Sequence, residues 1–106
     1  MSDNCIFCKI IEKKIPSRIV YEDQHVLAFE DVNPQAPVHL LVVPKKHLSD
    51  IQSMGETDRE LVGHLFLAAT KIATEKGLAE KGYRTVINNG ADAGQTVFHI
   101  HLHILS

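Results

Sequence analysis

His99-Ile100-His101-Leu102-His103-Ile104-Leu105 alternates imidazoles with branched aliphatic side chains. In an extended strand, successive side chains point to opposite faces. His99, His101 and His103 then share one face, while Ile100, Leu102 and Ile104 share the other and turn toward a core. The pattern predicts a last strand over Val97 to Leu105. Imidazoles two residues apart on one strand lie roughly 7 Å apart at their Cα atoms. That is close enough for one ring to attack a substrate while another handles a proton.

The segments upstream supply what such a strand needs to pack against. His39 to Val43 is a continuous apolar run suited to a central strand, closed by Pro44. Arg18 to Tyr21 and Val26 to Phe29 are short β-like runs separated by the polar turn Glu22-Asp23-Gln24. Tyr83 to Asn88 is another strand, and Asn89 to Gly94 is a turn-rich loop. Cys5 to Lys14 has helical spacing at Ile6, Phe7, Ile10 and Ile11, and Pro16 ends it. The clearest helix runs from about Asp58 to Lys76. Thr57 and Glu60 form its capping box, Leu61, Leu65, Ala68, Ala69 and Ile72 its buried stripe, and Gly77 its C-terminal stop. Together these predict an α+β domain with a five-stranded, mainly antiparallel sheet, a short N-terminal helix and one long helix, with the helices against one face. The 106 residues suffice for one domain, residues 1–106, with a thin stability margin that oligomerisation would help.

Eleven Lys and Arg stand against thirteen Asp and Glu, a formal net charge of −2. No broad cationic field follows, which argues against a nucleic-acid polymer as partner and leaves room for a small anion in a local pocket. The start Met1-Ser2-Asp3-Asn4-Cys5 lacks the pattern of a signal peptide, and no apolar run reaches membrane-spanning length. The expectation is a cytoplasmic protein whose two cysteines are thiols or metal ligands.

Imidazole suits transfer chemistry because its pKa is near neutrality and its two nitrogens take different roles. Attack on phosphorus needs a nucleophile, a proton donor for the leaving group and donors for the phosphoryl oxygens. Three rings in a row offer the first two. The loop residues Gly94, Gln95 and Thr96 offer backbone N–H groups, an amide and a hydroxyl for the third. The local pattern fits equally a zinc-dependent hydrolase that ligates its metal through His99, His101 and His103.

Outside this strand, Asp31-Val32-Asn33-Pro34-Gln35-Ala36-Pro37-Val38-His39, Pro44-Lys45-Lys46-His47, Asn88 and Gly94-Gln95-Thr96-Val97-Phe98 add further motifs. With His99 to Leu105 they resemble the histidine triad (HIT) family over nearly the whole chain, most of all its Hint-like branch. That branch consists of homodimeric purine nucleoside phosphoramidases. The resemblance implies a HIT-like fold and cleavage of purine nucleoside phosphoramidates, or related nucleoside monophosphate conjugates, through a nucleotidyl-histidine. It implies His101 as nucleophile, His103 as the partner that helps the leaving group depart, His99 as the residue that orients the nucleophile, and His39 as a fourth histidine behind the triad. Asp31 would bind the ribose hydroxyls; Asn88, Gln95 and Thr96 would contact phosphate; Phe7, Ile10, Phe29 and Val32 would wall the base pocket. No cofactor is implied for catalysis. A homodimer is expected through the long helix and the Tyr83 to Asn88 strand. A nucleotide-binding dimer without turnover is the alternative.

Cys5 and Cys8 sit at i, i+3, so both thiols reach one side of a helix. A structural zinc needs two more ligands. The resemblance offers His47 and His99, since some bacterial histidine-triad proteins carry zinc on such a set. Lys45 and Lys46 read as a solvated turn, and His25 and His64 as exposed residues without a role.

Overall fold

Two helices of the chain lie on opposite faces of one sheet. The computed structural model describes residues 4–106; Met1, Ser2 and Asp3, part of the stretch read for a leader, lie outside the described residues. Helix α1 spans Ile6–Ile11, with Cys5 as its N-cap, whose Sγ accepts the Cys8 N–H at 3.4 Å. The helix is shorter than its apolar spacing predicts. Lys13 takes φ 63°, and the bonds Lys14 N–H to Lys9 O (2.9 Å) and Lys13 N–H to Ile10 O (3.0 Å) close a Schellman stop before Pro16 is reached.

Strands β1 (Ile19–Glu22), β2 (Val26–Glu30), β3 (His39–Pro44), β4 (Arg84–Val86) and β5 (Leu102–Leu105) form a sheet in the order β1-β2-β3-β5-β4, every neighbouring pair antiparallel. Val26, Ala28, Leu40, Val42, Leu102 and Ile104 pack against Leu65, Ala68, Ala69 and Ile72 of α2 (Arg59–Glu75). Leu27, Phe29, Leu41 and Val43 pack against Phe7, Cys8 and Ile10 of α1. The expectation of both helices on one face is therefore corrected. β3 is buried at every position, as is nearly all of β2. Strands buried on both faces need a covering layer on each.

The histidine-bearing strand is also shorter than predicted. Its ladder begins at Leu102, opposite Val42. Pro44 has no N–H to extend the ladder, and the Ile100 N–H bonds Leu48 O instead, at 2.7 Å. β4 is likewise shorter than Tyr83 to Asn88. The predicted capping box is absent. Thr57 lies within a 3-10 turn, Glu56–Asp58, that runs into α2. The buried Asp58 carboxylate instead accepts the Gly55 N–H (2.8 Å) and meets Lys46 Nζ (2.6 Å). Lys46 is thus tied down, as is Lys45, which pairs with Glu22 at 2.8 Å. Gly77 does end α2: it has φ 72°, and Leu78 N–H bonds Ala73 O at 2.8 Å. Leu61 is only half-buried. His64 has a structural partner that its sequence position hid, Asp23, at 2.7 Å. The same carboxylate caps the β1–β2 turn by accepting the His25 and Val26 N–H groups. Among the described residues, no helix is long and apolar enough to cross a membrane.

Candidate functional site

The hydrogen bonds around the triad assign each ring a tautomer. His101 Nδ1 lies 2.8 Å from the His99 carbonyl oxygen. A carbonyl only accepts, so Nδ1 carries the proton and Nε2 is left with a bare lone pair. At His103 the sequence of donors runs the other way. The Gln35 N–H donates to His39 Nδ1 at 3.0 Å, so the His39 proton sits on Nε2. That proton is donated to His103 Nδ1 at 2.8 Å, which leaves the His103 proton on Nε2. Two adjacent rings, with centroids 4.9 Å apart, thus present opposite functions: a nucleophilic nitrogen and an N–H donor.

Burial keeps both rings neutral. It holds His101 below the ordinary histidine range, against the opposing effects of the His99 carbonyl and the Asp31 charge. It pushes His103 down to about 4, helped by His101 and His39 and opposed by Asp31. Protons then bind the unfolded chain before the folded one as pH falls from 6.5 toward 4. The stability contributed by neutral His103 is complete above pH 6.5 and is lost across that window. Thermal melts from pH 7 to 4 are expected to show this fall, with a shallower slope for His103→Gln.

Beside the two rings is a cavity of about 280 Å³. Phe7, Ile10, Phe29, Leu41 and Val97 give it apolar walls, and Asp31, Thr96, His101 and His103 give it polar ends. Phe7 meets the edges of both Phe29 (5.4 Å) and His101 (5.1 Å). Val32 lines the mouth and is 96% exposed. Asp31 accepts the Asn33 N–H through Oδ1 (2.8 Å), and its Oδ2 is 3.4 Å from His39 Nε2. Ile15, Pro16 and Ser17 also line this cavity, and no sequence motif assigns any of them to the site. The chain reverses after Lys13 and returns over the sheet, a path with no periodic signal.

The remaining predicted contacts are spread more widely. Gln95 is buried and its amide is committed to the protein: Nε2 donates to Ser49 O (2.7 Å) and Val97 O (3.1 Å), and Oε1 accepts the Gly90 N–H (2.8 Å). Its side chain braces the loop and does not line the cavity. Asn88 lines a second, shallower cavity with His103. Gly94 has φ 98°, a left-handed conformation that favours glycine.

His99 faces away from this chemistry. Its Nε2 lies 2.8 Å from the Pro44 carbonyl oxygen and so carries the proton. Its Nδ1 lone pair meets Cys5 Sγ (3.4 Å), Cys8 Sγ (3.6 Å) and His47 Nδ1 (3.1 Å). Cys8 Sγ is 3.3 Å from His47 Nδ1. A tetrahedral zinc with N and S ligands at about 2.0–2.3 Å has ligand–ligand edges of about 3.3–3.8 Å. Four of the six donor separations, 3.1–3.6 Å, lie within or just below that range, all four donors lie within 4.8 Å of one another, and two imidazole nitrogens with two sulfurs are the chemistry zinc takes. Among the described residues, the groups whose ligand atoms lie within 4.8 Å of one another are this quartet and Asp31-His39-His103. The three triad rings do not form such a group.

Comparison with known proteins places this geometry. A family model described as the HIT domain matches residues 12–106. The chain is 54% identical over 105 residues to an uncharacterized HIT-like protein of Synechocystis sp., covering 99% of this chain and 91% of that one. A solved HIT family hydrolase from Legionella pneumophila superposes with a TM-score of 0.95 at 48% identity, covering 97% of this chain and 92% of the other. A histidine triad nucleotide-binding protein from Candida albicans superposes with a TM-score of 0.88 at 32% identity, over 95% and 73%. The chain belongs to the HIT domain family and has the fold of its hydrolases.

Proposed function

We propose that the protein is a nucleotide-binding hydrolase that cleaves purine nucleoside phosphoramidates, or related nucleoside monophosphate conjugates, through a nucleotidyl-His101 intermediate. The observation that carries this is the opposed tautomers of His101 and His103 at one end of an apolar cavity. The base lies between Phe7, Ile10 and Phe29, and Asp31 accepts hydrogen bonds from the ribose hydroxyls. His101 Nε2 attacks phosphorus and the bond to the leaving group breaks. The departing atom takes the His103 Nε2 proton, and the negative charge this leaves on the His103 ring is balanced by the cationic nucleotidyl-imidazolium at His101, which keeps its Nδ1 proton, with the ring centroids 4.9 Å apart. Water then attacks the nucleotidyl-histidine, returns a proton to His103 and releases the nucleoside monophosphate. The Candida albicans neighbour is a histidine triad nucleotide-binding protein, which agrees with this substrate class.

The test is trapping. The protein is mixed with adenosine 5′-phosphoramidate, quenched in the millisecond to second range and digested for mass spectrometry. An adenylyl adduct on His101 is expected. Turnover with the adduct on another residue, or turnover without any adduct, would falsify the mechanism.

Two further assignments belong to this reading. Cys5, Cys8, His47 and His99 would hold a structural zinc, which would stiffen the junction between α1 and the triad segment. Two copies of the chain would associate through the exposed β4 edge and the exposed Phe66 and Leu67 of α2. Sedimentation at the mass of one chain would remove the second assignment.

A further inference from the structure

The pairing of β5 places side chains on the sheet face that carries His103. Leu41 and Val86 flank His103, and His39 and Arg84 flank Leu105. Residues paired directly across antiparallel strands share a face. Helix α1 covers this face over β2 and β3 only. Past the end of α1 the face is open, and there a cavity of about 230 Å³ is lined by Gln35, Arg84, Val86, Asn88, His103 and Leu105, with His39 behind. His103 lines both this cavity and the larger apolar one. Arg84 is exposed and forms no side-chain hydrogen bond or ion pair within the described residues. It is the one permanently charged residue of the lining.

In-line displacement puts the entering and departing atoms on opposite sides of phosphorus. His101 is the entering side. The departing atom must lie within reach of His103 Nε2, and the nucleoside fills the cavity toward Asp31. The leaving group therefore extends to the far side of His103.

We propose that the shallow cavity beyond His103 is the leaving-group subsite and that Arg84 selects departing amines bearing an anionic group, such as the carboxylate of an amino acid. The proposal rests on the nucleotidyl-transfer reading above. The P–N bond breaks with its electron pair going to the amine, which takes the His103 Nε2 proton and leaves past Arg84. Val86 and Leu105 form an apolar floor for the aliphatic part of the amine, and the Gln35 and Asn88 amides supply polar rims. Pairing of β4 edges between two copies uses backbone groups in the plane of the sheet, so it leaves this face open.

Matched substrates test the assignment: adenosine 5′-phosphoramidates of alanine, of alaninamide, and of 2-aminoethyl phosphate. The wild-type protein is expected to favour the carboxylate over the neutral amide by about 5- to 20-fold in kcat/KM, the low end of what a hydrogen bond between charged groups gives, because Arg84 is exposed to solvent. Arg84→Ala equalises the two, Arg84→Glu reverses the order, and Arg84→Lys keeps part of the preference. In each variant the rate with the neutral alaninamide substrate changes by less than the rate with the alanine substrate, so the charged-to-neutral ratio is the readout. A larger gain with the phosphate-bearing amine than with alanine identifies phosphate as the preferred anion; the reverse identifies carboxylate. Equal rates for charged and neutral amines in the wild type, or an unchanged ratio in Arg84→Glu, overturn the subsite while the His101 adduct still forms. Absence of that adduct with every substrate overturns the underlying reading as well.

Discussion

Replacing His101 with Ala is expected to lower turnover of adenosine 5′-phosphoramidate by about 10³-fold or more, while nucleoside monophosphate binding changes by less than about 5-fold. The neighbouring ring cannot take over. His103 Nδ1 accepts the proton of His39 Nε2 at 2.8 Å, and its other nitrogen is protonated, so His103 has no lone pair to offer phosphorus. The groups assigned to binding, Phe7, Ile10, Phe29 and Asp31, sit on α1, on β2 and on the loop that follows it, outside the triad segment. The substitution does leave the His99 carbonyl without its partner and removes an edge contact to Phe7. A cost of about 1–3 kcal/mol in stability follows from the unpaired buried acceptor. Calorimetric binding of adenosine monophosphate therefore accompanies the kinetics and shows that the site persists. A rate near wild type, with binding intact, would remove His101 from its role.

The second large effect is expected on stability, at the quartet of Cys5, Cys8, His47 and His99. Purified protein should hold about one zinc per chain, and stripping the metal with a chelator should lower Tm by about 10 °C or more. In a domain of this size each kcal/mol shifts Tm by about 4–8 °C, and a closed structural zinc site supplies several kcal/mol. The magnitude depends on what the metal ties together. Cys5 and Cys8 open α1, His47 follows β3, and His99 precedes β5, so a single ion links three separate stretches of chain. Without it, two sulfurs and two imidazole nitrogens, with four of their separations at 3.1–3.6 Å, crowd a space walled by the buried Cys5, Cys8 and His99. Cys8→Ala should abolish the metal-dependent part of Tm. Protein with well under one zinc per chain, and a Tm indifferent to chelator and to added zinc, would dismiss the assignment. Activity should resist brief chelation, because His101 and His103 take no part in the quartet.

Much of this was legible before any coordinates. Period-2 alternation from His99 to Leu105 separates the histidines from the core residues through local backbone geometry alone. That alternation survives even where the ladder fails: His99 and His101 still lie on the α1 side, against Phe7. The Gly77 stop was equally local, since only the left-handed preference of glycine is needed to foresee it. Failures came where the outcome depended on a distant partner. The shortened β5 follows from Pro44, far away in the chain yet on the neighbouring strand, two residues past Val42, the partner of Leu102. The lost capping box follows from Lys46 drawing in Asp58, and the role of His64 follows from Asp23.

By itself, then, the sequence determined which residues alternate, where α2 stops, the family and the donor types of the site, because these depend on short-range geometry and on chemical identity. Tertiary structure decided which face each helix covers, which nitrogen of each imidazole carries its proton, and that Gln95 turns inward. Each of these depends on hydrogen-bond and packing partners far away in the chain. A carbonyl beside His101 and an imidazole N–H beside His103 make chemically identical side chains into a nucleophile and a proton donor, and no spacing rule in one dimension encodes that difference.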